Sequence, residues 1–206
     1  MIDIPNFAAF VVVLTIHEFS HAFVAYRLGD PTAKNAGRLT LNPLTHLDLV
    51  GTFLVIFFQF GWAKPVPVQP HYFKNPKRDN LLTSFAGPFS NLILALVLNG
   101  VVKYFGLWMP SFLTYFFELV EDVALYLFIF NMLPIPPLDG AAILEMLIPR
   151  RFQHIYDRYL QNAMVYFVIF IAFDHFVLAE IFHQSIFSNF LGTIFVFLKS
   201  LLFLGN

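Results

Sequence analysis

Long apolar runs separated by short polar connections set the pattern of this chain. The runs cover about Ile4 to Leu28, Leu81 to Val102, Leu119 to Leu147, Tyr159 to Leu178 and Gln184 to Leu204. Each approaches or exceeds the roughly 20 residues that a helix needs to cross a bilayer core. The third is interrupted by PIPPLDG at 134–140, where three prolines cannot sustain regular helix. The pattern predicts an α-helical polytopic membrane protein, one membrane-embedded domain over residues 1–206, with about five transmembrane helices. The N-terminus has no basic region and no small-residue cleavage site, so it reads as the first membrane helix and not as a signal peptide.

A sixth apolar stretch, 49–63 (LVGTFLVIFFQFGWA), is uncharged but short for a span. Its core is β-branched and aromatic, which favours strand. The basic residues test whether it crosses. Residues 27–80 carry Arg27, Lys34, Arg38, Lys64, Lys74, Lys77 and Arg78. The connection 103–122 carries only Lys103, the connection 149–158 carries Arg150, Arg151 and Arg158, and 174–185 carries none. Cytoplasmic loops are enriched in Lys and Arg, so five spans fit, with the N-terminus outside and the C-terminus cytosolic in a cell membrane. A sixth span would break the alternation. The stretch 49–63 is therefore expected to be a small membrane-associated β or re-entrant element between helices one and two.

Composition agrees. The 206 residues are 58% hydrophobic and only 12% charged, against roughly 25% charged for soluble domains, and the mean hydropathy is +0.71. A net charge of −1 gives no basic surface for nucleic acid. Cysteine is absent, which excludes thiolate metal sites, so any metal must use His, Asp or Glu.

Three ionisable residues, His17, Glu18 and His21, sit inside the first apolar run. His17 and His21 are four apart and share one face of a helix. Two imidazoles at this spacing can bind one metal ion, and Glu18 can reach a metal-bound water, which is the HExxH pattern. Ionisable side chains at membrane depth are costly and functional by default. A buried polar cluster that pins helix packing is the other reading. A catalytic zinc needs a third protein ligand, and the other acid inside an apolar run near the same side is Asp139. At 1.5 Å per residue, His17 and His21 lie about 18 and 12 Å from Gly29, and Asp139 about 16 Å from Arg150. The three can share one depth, and Asn91 falls in the same layer.

HExxH in an early helix with NMLPIPPLDG (131–140) in a later one resembles the site-2 proteases, the zinc intramembrane metalloproteases. FAGPFSN (85–91), LTLNPLTHLD (39–48) and GWAKPVPV (61–68) also look like that family. The motifs span residues 17–140, and the last 60 residues carry none. The resemblance implies one zinc held by His17, His21 and Asp139, with Glu18 activating water. It implies that Asn131, and by the same reasoning Asn91, contact substrate or the tetrahedral intermediate. It also implies a membrane-spanning protein or peptide as substrate, cut near the cytosolic face. The chain has no room for the PDZ or CBS domain of many relatives, and LDGAA stands where LDGGR or LDGSR is common. The oligomeric state is not indicated.

A metal-ion transporter would offer further ligands along a path, whereas His46, His71, His154, His175 and His183 are scattered singly and read as ordinary loop or interfacial residues. An inactive scaffold is disfavoured by the intact Glu18. A protease in lipid must also hold an unwound substrate whose amides need partners. The strand-like run Thr52 to Phe60 is expected to lie beside the site and pair with it.

Overall fold

The structure is a computed structural model and describes residues 3–58 and 61–203. It comprises two compact units, residues 1–128 and 129–206.

In the first unit, α1 (Ile4–Arg27) begins at Asp3, whose carboxylate accepts from the Asn6 N–H at 2.9 Å, and carries Pro5 in its first turn. It stops at Gly29, whose φ of 109° suits a residue without Cβ, and the Asp30 N–H returns to the Ala25 carbonyl at 2.9 Å. A short helix, α2 (Thr32–Asn35), follows.

The next element corrects the expected β segment. Residues Leu49–Phe58 form a helix, α3. Asp48 is the reason: its carboxylate accepts from the Gly51 N–H at 2.8 Å, and its carbonyl accepts from the Thr52 N–H at 2.8 Å. An N-capping side chain and local hydrogen bonding outweigh strand preference, which depends on context. Ten residues make about 15 Å of helix, half of a roughly 30 Å hydrocarbon core. Gln59 and Phe60, the end of the expected strand, lie outside the described residues. The chain then returns against the start of α3. A Cβ on Gly51 would stand 2.0 Å from the Trp62 carbonyl oxygen, and one on Gly61 2.1 Å from the Gly51 oxygen, so both positions exclude side chains. A single antiparallel bridge, Leu47 with Ala63, closes the excursion. It is the β pairing found among the described residues, which contain no strand. From Lys64 to Gln69 the chain forms no regular secondary structure.

Helix α4 (Pro76–Phe105) packs along α1. It contains Pro88, which lacks an N–H and so removes one internal helical bond. Helix α5 (Ser111–Asn131) starts well before the expected boundary. The acidic stretch read as a connection is helical, and Glu121 is buried there with the Asn99 amide of α4 3.4 Å away.

In the second unit the chain leaves α5 at Asn131, passes through the proline segment with a cis Pro136–Pro137 peptide, and enters α6 (Ala141–Leu147). Helices α7 (Gln153–Leu160), α8 (Ala163–Phe173), α9 (Ala179–Phe182) and α10 (Ile186–Leu202) complete it. A π-helical turn, Asp174–Leu178, joins α8 to α9. The expected end of the last helix, Leu204, lies outside the described residues. Among the described residues, three helical stretches are long and apolar enough to cross a membrane: Ile4–Arg27, Pro76–Trp108 and Ala163–Phe182. Ile186–Leu202 is apolar but shorter.

Candidate metal centre

The expected helical spacing brings His17 and His21 together on the buried face of α1, with ring centroids 4.6 Å apart and Nε2 atoms 3.0 Å apart. Both are buried, as is Glu18 between them. The face is opposed by α4 at Gly87. A Cβ there would stand 2.3 Å from His21 Nε2 and 2.7 Å from His17 Nε2. Glycine is required because the imidazole nitrogens occupy the space of a methyl group.

The far sides of the rings set their tautomers. His21 Nδ1 lies 2.7 Å from the Thr83 carbonyl oxygen, one turn before Gly87. A carbonyl only accepts, so Nδ1 carries the proton and Nε2 of the neutral ring presents a lone pair. His17 Nδ1 faces the Asn91 carboxamide, 3.1 Å from Nδ2. A carboxamide can offer its nitrogen or, turned over, its oxygen. With nitrogen toward the ring, Asn91 Oδ1 is buried without a hydrogen-bond partner, and His17 Nε2 must carry the ring proton. With oxygen toward the ring, Nδ1–H donates and Nε2 is freed. Metal-binding histidines characteristically donate their second N–H to an oxygen, and the second orientation supplies this for both rings.

In the first orientation His17 Nε2–H donates to His21 Nε2; in the second, two lone pairs face each other 3.0 Å apart and repel unless a cation stands between them. Nitrogens about 2.05 Å from a tetrahedral zinc are separated by about 3.3 Å, a few tenths from the observed spacing. In the second orientation the pair fits a metal. Asn91, fully buried, stands behind His17, a contact that the sequence did not indicate.

Glu18 Oε2 accepts from the Val66 N–H at 3.1 Å. This contact places the irregular segment 63–69 beside the HExxH turn. The segment is held at both ends: the Lys64 N–H donates to the His46 carbonyl at 2.9 Å, and the Gln69 N–H donates to Asp30 Oδ2 at 2.7 Å. Asp30 also accepts from the Thr32 N–H at 2.9 Å. His46, read from sequence as an ordinary loop residue, is fully buried and serves this loop. Arg38, Asp30, Thr83 and Val66 were not singled out by sequence reasoning, because their contacts join residues 26 to 62 positions apart, or use backbone atoms.

Asp139 and Asn131 belong to the second unit. The Asn131 carbonyl accepts from the Gly140 N–H at 2.7 Å, closing the proline segment into a loop. A Cβ on Gly140 would stand 2.4 Å from the Leu133 carbonyl oxygen, so glycine is needed after Asp139. Asp139 is half-buried, and its carbonyl accepts from the Ala142 N–H at 3.1 Å at the start of α6.

The family model described as peptidase family M50 matches residues 6–124 and 106–174. YwhC of Bacillus subtilis, named as a candidate zinc metalloprotease, is 48% identical over 146 residues, 68% of this chain and 67% of that protein. Rip2 of Mycolicibacterium smegmatis, named likewise, is 38% identical over 149 residues, 67% of this chain and 55% of that protein. MJ0611 of Methanocaldococcus jannaschii, also so named, is 28% identical over 145 residues, 68% of this chain and 74% of its own. The match thus spans little more than half of the mycobacterial relative. No solved structure gives a significant match.

Proposed function

The chain belongs to peptidase family M50, and on that premise we propose that it is a zinc metalloendopeptidase that cuts membrane-spanning protein substrates near the cytosolic face. The observation that carries the reading is the pair of buried imidazoles whose Nε2 atoms converge at 3.0 Å beside a buried glutamate. His17 and His21 offer two imidazole nitrogens, and Asp139 is assigned as the carboxylate ligand on the family resemblance. This donor set suits a catalytic zinc that keeps a fourth position for water. One zinc per chain follows from one such set.

When bound, zinc lowers the pKa of its water to around 7 and polarises the scissile carbonyl. The protein's part is carried by named side chains. Glu18 takes the proton from water as general base and passes it to the leaving amine. Its Oε2 is held by the Val66 N–H, so Oε1 is the oxygen that meets water. Thr83 and Asn91 hold the two rings in the tautomer that binds metal. Asn131, before the proline segment, is assigned to the substrate carbonyl or the tetrahedral intermediate, on the family resemblance. The substrate helix must unwind locally, because its amides are otherwise bonded four residues back. The expected strand partner at 52–60 is helical over its described part, and no pairing edge is assigned there.

The proposed topology adds α5 and α10 to the three long apolar helices, giving five spans with the N-terminus outside. Purified protein reconstituted in vesicles tests the activity. The proposal predicts cleavage of a co-reconstituted single-span substrate and no zinc flux. Flux without cleavage would replace the peptidase with a transporter.

A further inference from the structure

One peptide group joins a loop arginine to the glutamate of α1. Its carbonyl, from Pro65, accepts from Arg38 Nη1 at 3.1 Å, and its N–H, from Val66, donates to Glu18 Oε2 at 3.1 Å. In a planar trans peptide, C=O and N–H point in opposite directions. The unit therefore lies between a guanidinium and a carboxylate, with its dipole along the line joining them. Hydrogen bonds in such a chain polarise and strengthen one another.

The neighbouring atoms allow that peptide little freedom. Arg38 Nη2 donates to the Lys64 carbonyl at 2.6 Å, so one guanidinium carries two successive carbonyls and fixes the twist of the chain between them. Pro65 and Pro67 have no N–H, so Val66 supplies the one backbone donor of that tripeptide. Arg38 is itself buried, at 6% exposure. His46 Nδ1 lies 3.4 Å from Arg38 Nη2, and His46 Nε2 lies 2.9 Å from the Thr40 carbonyl. The carbonyl assigns the proton to Nε2 and leaves Nδ1 to accept from the arginine. Burial pushes the guanidinium pKa down from its ordinary value, and the Glu18 charge pulls it back up.

We propose that Arg38 is a positioning residue for Glu18, acting through the Pro65–Val66 peptide. It orients the Val66 N–H that holds one carboxylate oxygen and so aims the other at the water to be deprotonated. This rests on the reading of Glu18 as general base. It also gives the GRLT and KPVP segments a common purpose, which is to clamp one peptide.

The test uses the full chain with R38A, R38K and V66P. Amide exchange is measured on zinc-free protein, and zinc content and steady-state kinetics on the loaded form. In R38A, exchange at Val66 should rise about two- to tenfold, the net worth of a typical hydrogen bond, while zinc content stays at the wild-type level. Its kcat should fall about 10–100-fold with KM within about twofold, the signature of a loss felt in the transition state. R38K should recover part of kcat, since an ammonium can reach only part of the fork. V66P deletes the N–H but leaves Arg38 and its carbonyl acceptors, and should reproduce the kcat loss with zinc retained. If R38A does not fold, V66P carries the test. Unchanged Val66 exchange in R38A, or full kcat in V66P, would overturn the proposal. A zinc-loaded wild type that cleaves nothing would overturn the peptidase reading instead, and the exchange result would still decide whether Arg38 clamps the peptide.

Discussion

Gly87 of α4 and His21 of α1 stand so close that a Cβ on the glycine would lie 2.3 Å from the histidine Nε2. The imidazole nitrogens thus occupy the place of a missing side chain. G87A should lose zinc, with bound metal falling to a small fraction of the wild-type level. Its helix should not suffer, because alanine is favoured over glycine in a helix interior by about 1 kcal/mol. Metal analysis and circular dichroism on the same sample check this. Normal zinc in G87A would mean that the two helices separate freely there.

The Asn91 carboxamide is assigned to accept from His17 Nδ1. N91A removes that acceptor and should weaken zinc binding by about 10–100-fold, the usual cost of losing a ligand's hydrogen-bond partner. N91D retains an oxygen at the same position and should keep most of the affinity. A competitive chelator titration reads both. Equal affinity in wild type and N91A would leave His17 without need of this partner.

Asp48 starts α3 through its bond to the Gly51 N–H. D48A should cost α3 about 0.5–2 kcal/mol, as cap removals do. Amide exchange should quicken across 49–58, while zinc content is unchanged. Protection that survives the substitution would show that packing against 61–63 holds the helix unaided.

The distribution of Lys and Arg predicts the sidedness of the connections. A reporter fused after Trp108 should read outside, and one fused at Phe73 or Gln153 inside. An outside signal at Phe73 would reverse the proposed position of the metal centre relative to the cytosol.

What could be read from the sequence was local. Two histidines four apart on a helix must share a face, and a glycine before Asp30 and Pro31 ends α1 where expected. The run TFLVIFF misled because strand preference was weighed without the cap at Asp48, three residues before Gly51. The acidic stretch before α5's apolar half was taken for a connection, since the pairing of Glu121 with Asn99 on another helix has no local signature. The contact between Glu18 and Val66 spans 48 residues and runs through a backbone N–H, so residue types alone carry no trace of it. Arg38 and His46 looked like loop residues because burial in a loop is decided by what folds over it.

The most direct test of the central claim is E18Q, purified with zinc and assayed on a single-span membrane substrate beside wild type and H21A. The amide keeps the shape of the carboxylate but cannot take a proton. E18Q should hold zinc at the wild-type level and lose cleavage by about 10²–10⁴-fold, the usual worth of a general base. H21A should lose zinc and cleavage together. Cleavage by zinc-loaded E18Q at the wild-type rate would contradict the account.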